Sequence, residues 1–257
     1  MWPDVVDQRD FYATGLGQTV RRTVRRAMRE MWPDTSGMTV AGIGYATPYL
    51  RPFHEEAARA LAVMPAPMGV IAWPAPKTAR GAAREPNVVA LAHEGELPLP
   101  DLSVDRILMV HALEHAAQPQ AMLRELWRVL ADGGRLLAVV PNRRSIWARS
   151  DHTPFGHGQP YSLDQLNRTL RAAMFAPLTA RRALFVPPTQ RRFVLSGAYA
   201  WERLGERWFQ PLGGVLLVEA GKQIYAATTA GATARTRRRY LPAGVAARRE
   251  GPVSPAK

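Results

Sequence analysis

ELPLPDLSVDRILMVHALEH (Glu96–His115), followed after seven residues by LRELWRVLADGGRLL (Leu123–Leu137), is the stretch that decides the fold. Asp105–Val110 is a short, almost uniformly apolar run, as expected of a strand covered on both faces. In the segment Gln120–Leu130, Leu123, Leu126, Trp127 and Leu130 fall at i, i+3, i+4 and i+7, the stripe of an amphipathic helix. Pro119 suits the first turn of that helix, and Gly133-Gly134 suits its exit. Arg135–Val140 is apolar again and closes on Pro141-Asn142. A strand, a helix and a second buried strand within about 35 residues describe one right-handed crossover of a parallel sheet.

The same alternation extends in both directions. Upstream, residues 10–31 read as one helix, with Leu16, Val20, Val24 and Met28 on its apolar stripe and Arg21, Arg22, Arg25, Arg26 and Arg29 on another face. Trp32-Pro33-Asp34 ends it. Strand-like runs follow at Thr39–Ile43, Ala60–Met64 and Val88–Ala92, with helical composition over Tyr49–Leu61. Downstream, Ser162 and Gln165 form a capping box ahead of Leu163, Leu166, Leu170 and Met174. Further strands are expected at Ala183–Val186 and Gly214–Ala226, with a helix near Tyr199–Trp208. The fold expected is α/β, a doubly wound, mostly parallel, seven-stranded Rossmann-like sheet. Its ligand site should lie beyond the carboxyl ends of the strands, where the strand order reverses.

The Glu96–Leu137 stretch resembles class I S-adenosylmethionine-dependent methyltransferases of the type 11 group, whose pattern runs LPFPDxSFDxVxxxxxLxH…LxExxRVLKPGGxL. The resemblance implies S-adenosylmethionine as cofactor and methyl transfer to an acceptor. It also implies a cofactor pocket at the strand ends, with Leu97-Pro98 closing the loop over the adenine and His111, Ala112 and Leu113 facing the cofactor. The family's first-strand motif, acid-x-Gly-x-Gly-x-Gly, falls on Gly42-Ile43-Gly44-Tyr45-Ala46-Thr47-Pro48. Gly42 stands in place of the acid, Ala46 and Pro48 replace two glycines, and Gly44 alone is retained. Thr47-Pro48 offers an N-cap and first-turn pair, so a helix there still points N–H groups at a carboxylate. The ribose position falls near Met64-Pro65, and the adenine position on His93 with Glu94 beside it. The cofactor residues expected are therefore Gly42, Gly44, Tyr45, Ala46, Met64, His93, Glu94, His111, Ala112 and Leu113. Gly44→Asp is expected to remove binding through conflict with the cofactor's carboxylate. A nicotinamide site would need Gly-x-Gly-x-x-Gly, which Ala46 and Pro48 fit no better.

Three residues are candidates for proton transfer: His157 and Tyr161 in the Gly- and Pro-rich loop after the fifth strand, and His115 at the site's edge. His111 and His115 are four apart, but no third ligand lies near them and no metal site is expected. With no cysteine the chain has neither disulfides nor a thiolate nucleophile. No apolar run reaches the length of a membrane-spanning helix, and the N-terminus lacks the order of a secretory signal. These features fit a cytoplasmic protein. The net charge of +13 is carried mostly by arginine; residues 227–257 hold seven basic residues against Glu250. Such a surplus suits phosphate-rich or anionic-lipid partners. The division expected is a domain over 1–226 and a basic, disordered tail over 227–257. The alternative function is a non-catalytic scaffold of the same fold with a degenerate cofactor site, binding a partner or nucleic acid through its basic helix and tail.

Overall fold

The computed structural model describes residues 2–74 and 86–223, so the expected tail at 227–257 lies outside the described residues. In chain order the elements are α1 (Val5–Ala13), α2 (Gly15–Met31), β1 (Thr39–Gly44), α3 (Thr47–His54), β2 (Arg59–Pro65), β3 (Val89–Ala92), β4 (Val104–Val110), α4 (Pro119–Val129), β5 (Leu130–Pro141), α5 (Leu163–Ala172), β6 (Phe175–Ala183), α6 (Arg192–Ser196), α7 (Ala198–Trp208) and β7 (Val215–Lys222). The strands form one seven-stranded sheet in the order β3-β2-β1-β4-β5-β7-β6. Strands β1 to β5 pair in parallel, and β7 inserts antiparallel between β5 and β6. The strand order reverses between β1 and β4, the place where open α/β sheets commonly hold a ligand.

The buried strands divide their side chains by the two-residue period. Val40, Met64, Leu108, Val110, Leu137 and Val139 face one layer with α1, α2 and α3. Ala41, Ile43, Ile107, Met109, Leu136 and Ala138 face the other with α4 and α5. The apolar stripe Leu16, Val20, Val24 and Met28 of α2 is buried as expected, while Arg29 pairs with Glu56 and Arg26 with Glu30.

Four local expectations are corrected. The helix read over residues 10–31 is two helices, because Thr14 is extended and caps α2: its hydroxyl accepts from Gly17 N at 3.0 Å and donates to the Phe11 carbonyl at 2.7 Å. The cap of α3 is Ala46, with no side-chain bond, so Thr47 is its first residue and not its cap. β5 starts at Leu130, five residues early, and absorbs Gly133 at φ 75° through a register shift opposite Val104/Arg106. The sixth strand is Phe175–Ala183, ahead of the expected Ala183–Val186. It is an edge strand with its centre exposed and arginine-rich, so it lacks the apolar run that marks a buried strand.

Arg128 does more than face its helix end. Its guanidinium donates to Glu125, to Asp101 and to the carbonyls of Leu97 and Leu99 at 3.2 and 3.0 Å, clipping the loop before β4 onto α4. Glu125 in turn accepts from Leu97 N at 2.8 Å, and the Arg128 bonds hold its carboxyl below the usual range. Arg128→Ala should cost about 1–2 kcal/mol, discounted for partial exposure, or about 3–6 °C in Tm. A carboxyl depressed in the fold contributes stability above its unfolded pKa and loses it as pH falls through the folded value. The gap in Tm between wild type and Arg128→Ala should therefore narrow on acidification. A gap that is constant with pH would show that the clip carries no charge.

Candidate functional site

The turn from β1 into α3 sits against the end of β4. Gly44 has φ 79°, and a Cβ there would lie 2.3 Å from the Val110 carbonyl and 2.8 Å from the Ala112 methyl. Only glycine lets the two strand ends approach so closely in this conformation. Gly42 is glycine for another reason: a Cβ would meet Leu50 at 2.5 Å and Ala46 at 2.8 Å. The residue that replaces the family's acid thus makes room for α3 to pack on β1.

Tyr12 of α1 stands over the gap between β1 and β4. Its ring stacks on Tyr45 at 5.7 Å, and its hydroxyl lies 2.7 Å from both the Tyr49 hydroxyl and His111 Nε2. Burial, above all, pushes the Tyr12 phenol up, and it pushes Tyr45 up to about 12, so both stay protonated. His111 closes β4 in the left-handed region at φ 50°. Its Nδ1 is 3.3 Å from Glu114 Oε1, an ion-pair distance without hydrogen-bond geometry. Phe155 packs on the same imidazole at 4.8 Å.

Gly44, Tyr45, Ala46, Met64, His111, Ala112 and Leu113 are brought together and buried around this covered crevice. His93 and Glu94 part company. His93 is exposed and turns back, accepting from Gly95 N through Nδ1, whereas Glu94 is buried with Oε1 accepting from Gln118 N at 3.0 Å. The inward residue after β3 is thus the one shifted by a single position.

Several buried polar atoms here have no hydrogen-bond partner: Glu94 Oε2, both carboxylate oxygens of Glu114, and the amide of Gln8 on α1. Leaving such groups unpaired costs about 1–3 kcal/mol each, more for a charge. A ligand with N–H, O–H or cationic groups would satisfy the carboxylates, and an amino-acid nucleoside offers all three. The residues present fit the implied cofactor in this respect. They are also buried.

Beside the crevice a cleft of about 490 Å³ opens between α1 and the loop after β5, lined by Trp2, Gln8, Phe11, His152, Thr153 and His157 among others. Of the three proton-transfer candidates, His157 alone lines it. His157 Nε2 is 3.0 Å from the Asp151 carbonyl, which can only accept, so Nε2 carries the proton and Nδ1 is left basic. Burial pushes the Tyr161 phenol up, so it can donate but is a poor base. His115 is buried, 5.7 Å from the Trp2 ring. No group of three metal-ligating side chains occurs among the described residues.

Sequence reasoning missed Tyr12, Gln8 and Tyr49 entirely, and assigned Glu114 no role. No local signal marks the first two, because what gives them a place in the site is the docking of α1 on the far end of the sheet.

Residues 40–138 match the family described as "Methyltransferase domain". A "probable S-adenosylmethionine-dependent methyltransferase" of Mycobacterium tuberculosis is 37% identical over 95 residues, 36% of this chain and 34% of the relative. A similarly named protein of Mycolicibacterium smegmatis is 34% identical over 96 residues, covering 36% and 37%. The aligned stretch spans about a third of these relatives. Among solved structures, a SAM-dependent methyltransferase from Thermotoga maritima superposes with TM-score 0.59 at 17% identity over 85% of this chain and 96% of that one. One from Archaeoglobus fulgidus gives 0.51 at 17% identity over 79% and 94%. These likenesses establish the fold.

Proposed function

We propose that this chain is a class I S-adenosylmethionine-dependent methyltransferase, supported by its 40–138 match and its sheet order, and that it transfers the cofactor's methyl group to a small acceptor held in the cleft between α1 and the 151–158 loop. The observation that carries this reading is the adjacency of cleft and crevice, joined by Phe155, which touches both His111 at the crevice and Phe11 at the cleft. The domain is read as 1–226, and the absence of cysteine suits a reducing, cytoplasmic setting.

When bound, the cofactor supplies an electrophilic methyl on a sulfonium, so positioning accounts for much of the rate. The turn Gly44–Ala46 would hold the amino-acid end through backbone groups. Glu94 would accept from the adenine side, and His111–Leu113 would line the face toward the acceptor. Glu114, buried beside His111, offers negative charge to a cationic centre and compensates for the acid missing at Gly42. Met64 supplies apolar contact where the family places an acid, so the ribose loses one hydrogen-bonded anchor. His157 Nδ1 takes the proton that the acceptor gives up, and Tyr12 and Phe155 exclude water from the crevice.

Calorimetry of the full chain with S-adenosylhomocysteine tests the reading. Saturable heat at or below millimolar ligand is expected. Its absence would leave the scaffold alternative, with salt-sensitive nucleic-acid binding as that reading's own signature.

A further inference from the structure

We propose that the α6–α7 insertion is a membrane-docking surface that seats the protein on an anionic lipid bilayer. No helix among the described residues is long and apolar enough to cross a membrane. The surface proposed lies on the lipid and does not span it.

The insertion has a fixed inner face. Glu202 accepts from the backbone N–H groups of Leu184, Phe185 and Val186 at 2.9, 2.7 and 3.3 Å. Gly205 sits hard on Phe185, where a Cβ would come within 2.1 Å of the ring. Trp147 Nε1 donates to the Val186 carbonyl at 2.8 Å, and Asn142 Nδ2 donates to the carbonyls of Pro211 and Gly213 at 2.9 and 2.7 Å. These bonds hold the insertion against the loop after β5. Because Ala183 and Pro141 both lie opposite Val215, it stands at the same edge of the sheet as the crevice.

The outer face is unlike the rest of the surface. Phe193 at 73%, Trp208 at 67%, Phe209 at 51% and Trp201 at 40% are exposed there, with Leu204 and Leu212 beside them, whereas the exposed Tyr199 turns toward α2, where the Arg26 guanidinium lies 5.1 Å from its ring centroid. Trp201, Leu204 and Trp208 fall at i, i+3 and i+7 of α7 and form one stripe. Such patches on a soluble surface mark docking sites. The charges around the stripe select the partner. Arg191, Arg192 and Arg207 are exposed in the insertion, the Arg207 guanidinium lies 5.8 Å from the Trp208 ring centroid, and Arg203 and Glu206 line the groove toward α2. Tryptophan and tyrosine belong at the headgroup level, and arginine stems lie along apolar surface while their heads reach phosphate. A second copy of the chain would bring the same arginines face to face, whereas an anionic bilayer supplies the opposite charge and an apolar interior together.

The full chain is tested with vesicles of phosphatidylcholine containing about 30% phosphatidylglycerol, a mixture chosen to exploit charge attraction. Brominated acyl chains serve as quenchers of tryptophan. Binding with quenching is expected, falling on pure phosphatidylcholine. Quenching should disappear in Trp201→Phe/Trp208→Phe. Phe193→Ser/Phe209→Ser/Leu212→Ser should weaken the partition coefficient by about tenfold or more while Tm stays unchanged. If that triple variant fails to fold, Arg192→Gln/Arg207→Gln carries the test, with at least about a severalfold loss of the preference for anionic lipid expected. Vesicle binding without quenching would place the contact in the tryptophan-free basic tail and overturn the proposal. No binding at all, or a concentration-dependent dimer that the triple variant dissolves, would also overturn it.

Discussion

Gly44→Ala abolishes binding of S-adenosylhomocysteine and lowers the melting temperature by about 10 °C or more, on the physical grounds that follow. The added Cβ would stand 2.3 Å from the Val110 carbonyl at a backbone φ of 79°, where an L side chain is already strained. Strain and backbone displacement together cost about 3–5 kcal/mol. The relief available is to pry β1 from β4, which opens the crevice where the cofactor is placed. The conflict is therefore with the protein's own carbonyl, before any carboxylate of a ligand is reached, and alanine should have the effect expected of aspartate. Gly133→Ala is the control. Its φ is 75°, but nothing lies within 4 Å of the added Cβ, so about 1 kcal/mol of backbone strain is expected with binding retained. Circular dichroism at low temperature separates lost binding from lost folding. Wild-type affinity in a folded Gly44→Ala protein would show that the crevice lies elsewhere.

His157→Gln lowers kcat by about a hundredfold while leaving S-adenosylhomocysteine affinity near that of wild type. The imidazole lines the cleft, with Nε2 committed to the Asp151 carbonyl. Glutamine keeps a donor for the Asp151 carbonyl and removes only the base. The rate to follow is S-adenosylhomocysteine release with a deproteinised cell extract as the acceptor source. An unchanged kcat would mean that the acceptor's proton leaves by another route, and Tyr161, held protonated by burial, is not a candidate to take it.

The sheet was legible because parallel strands buried on both faces write themselves as continuous apolar runs. Thr39–Ile43, Ala60–Met64, Asp105–Val110 and Arg135–Val140 all fall within strands of the structure. The sixth strand was not legible. An exposed edge strand reading FAPLTARRA has no buried face along its centre to impose a period, and its place is fixed by pairing with β7. The split of the first helix turned on one side-chain bond at Thr14, a preference too weak to read before its partner Phe11 is in place.

The site divides along the same line. Gly44, Ala46 and the His111–Leu113 turn are encoded by short-range sequence, because strand ends and tight turns limit which residues can stand there. Which residue faces inward after β3, Glu94 and not His93, follows from the register of β2 with β3 and the bond to Gln118, 24 residues away. Tyr12, Gln8 and Glu114 came together across about a hundred residues. Contacts of that span depend on how helices dock on a finished sheet, and no local pattern of side chains records it. Sequence alone thus determined the order of strands and helices and the ground on which a ligand would stand. Tertiary packing decided what covers that ground, which polar groups it leaves unpaired, and which aromatic face remains turned to solvent.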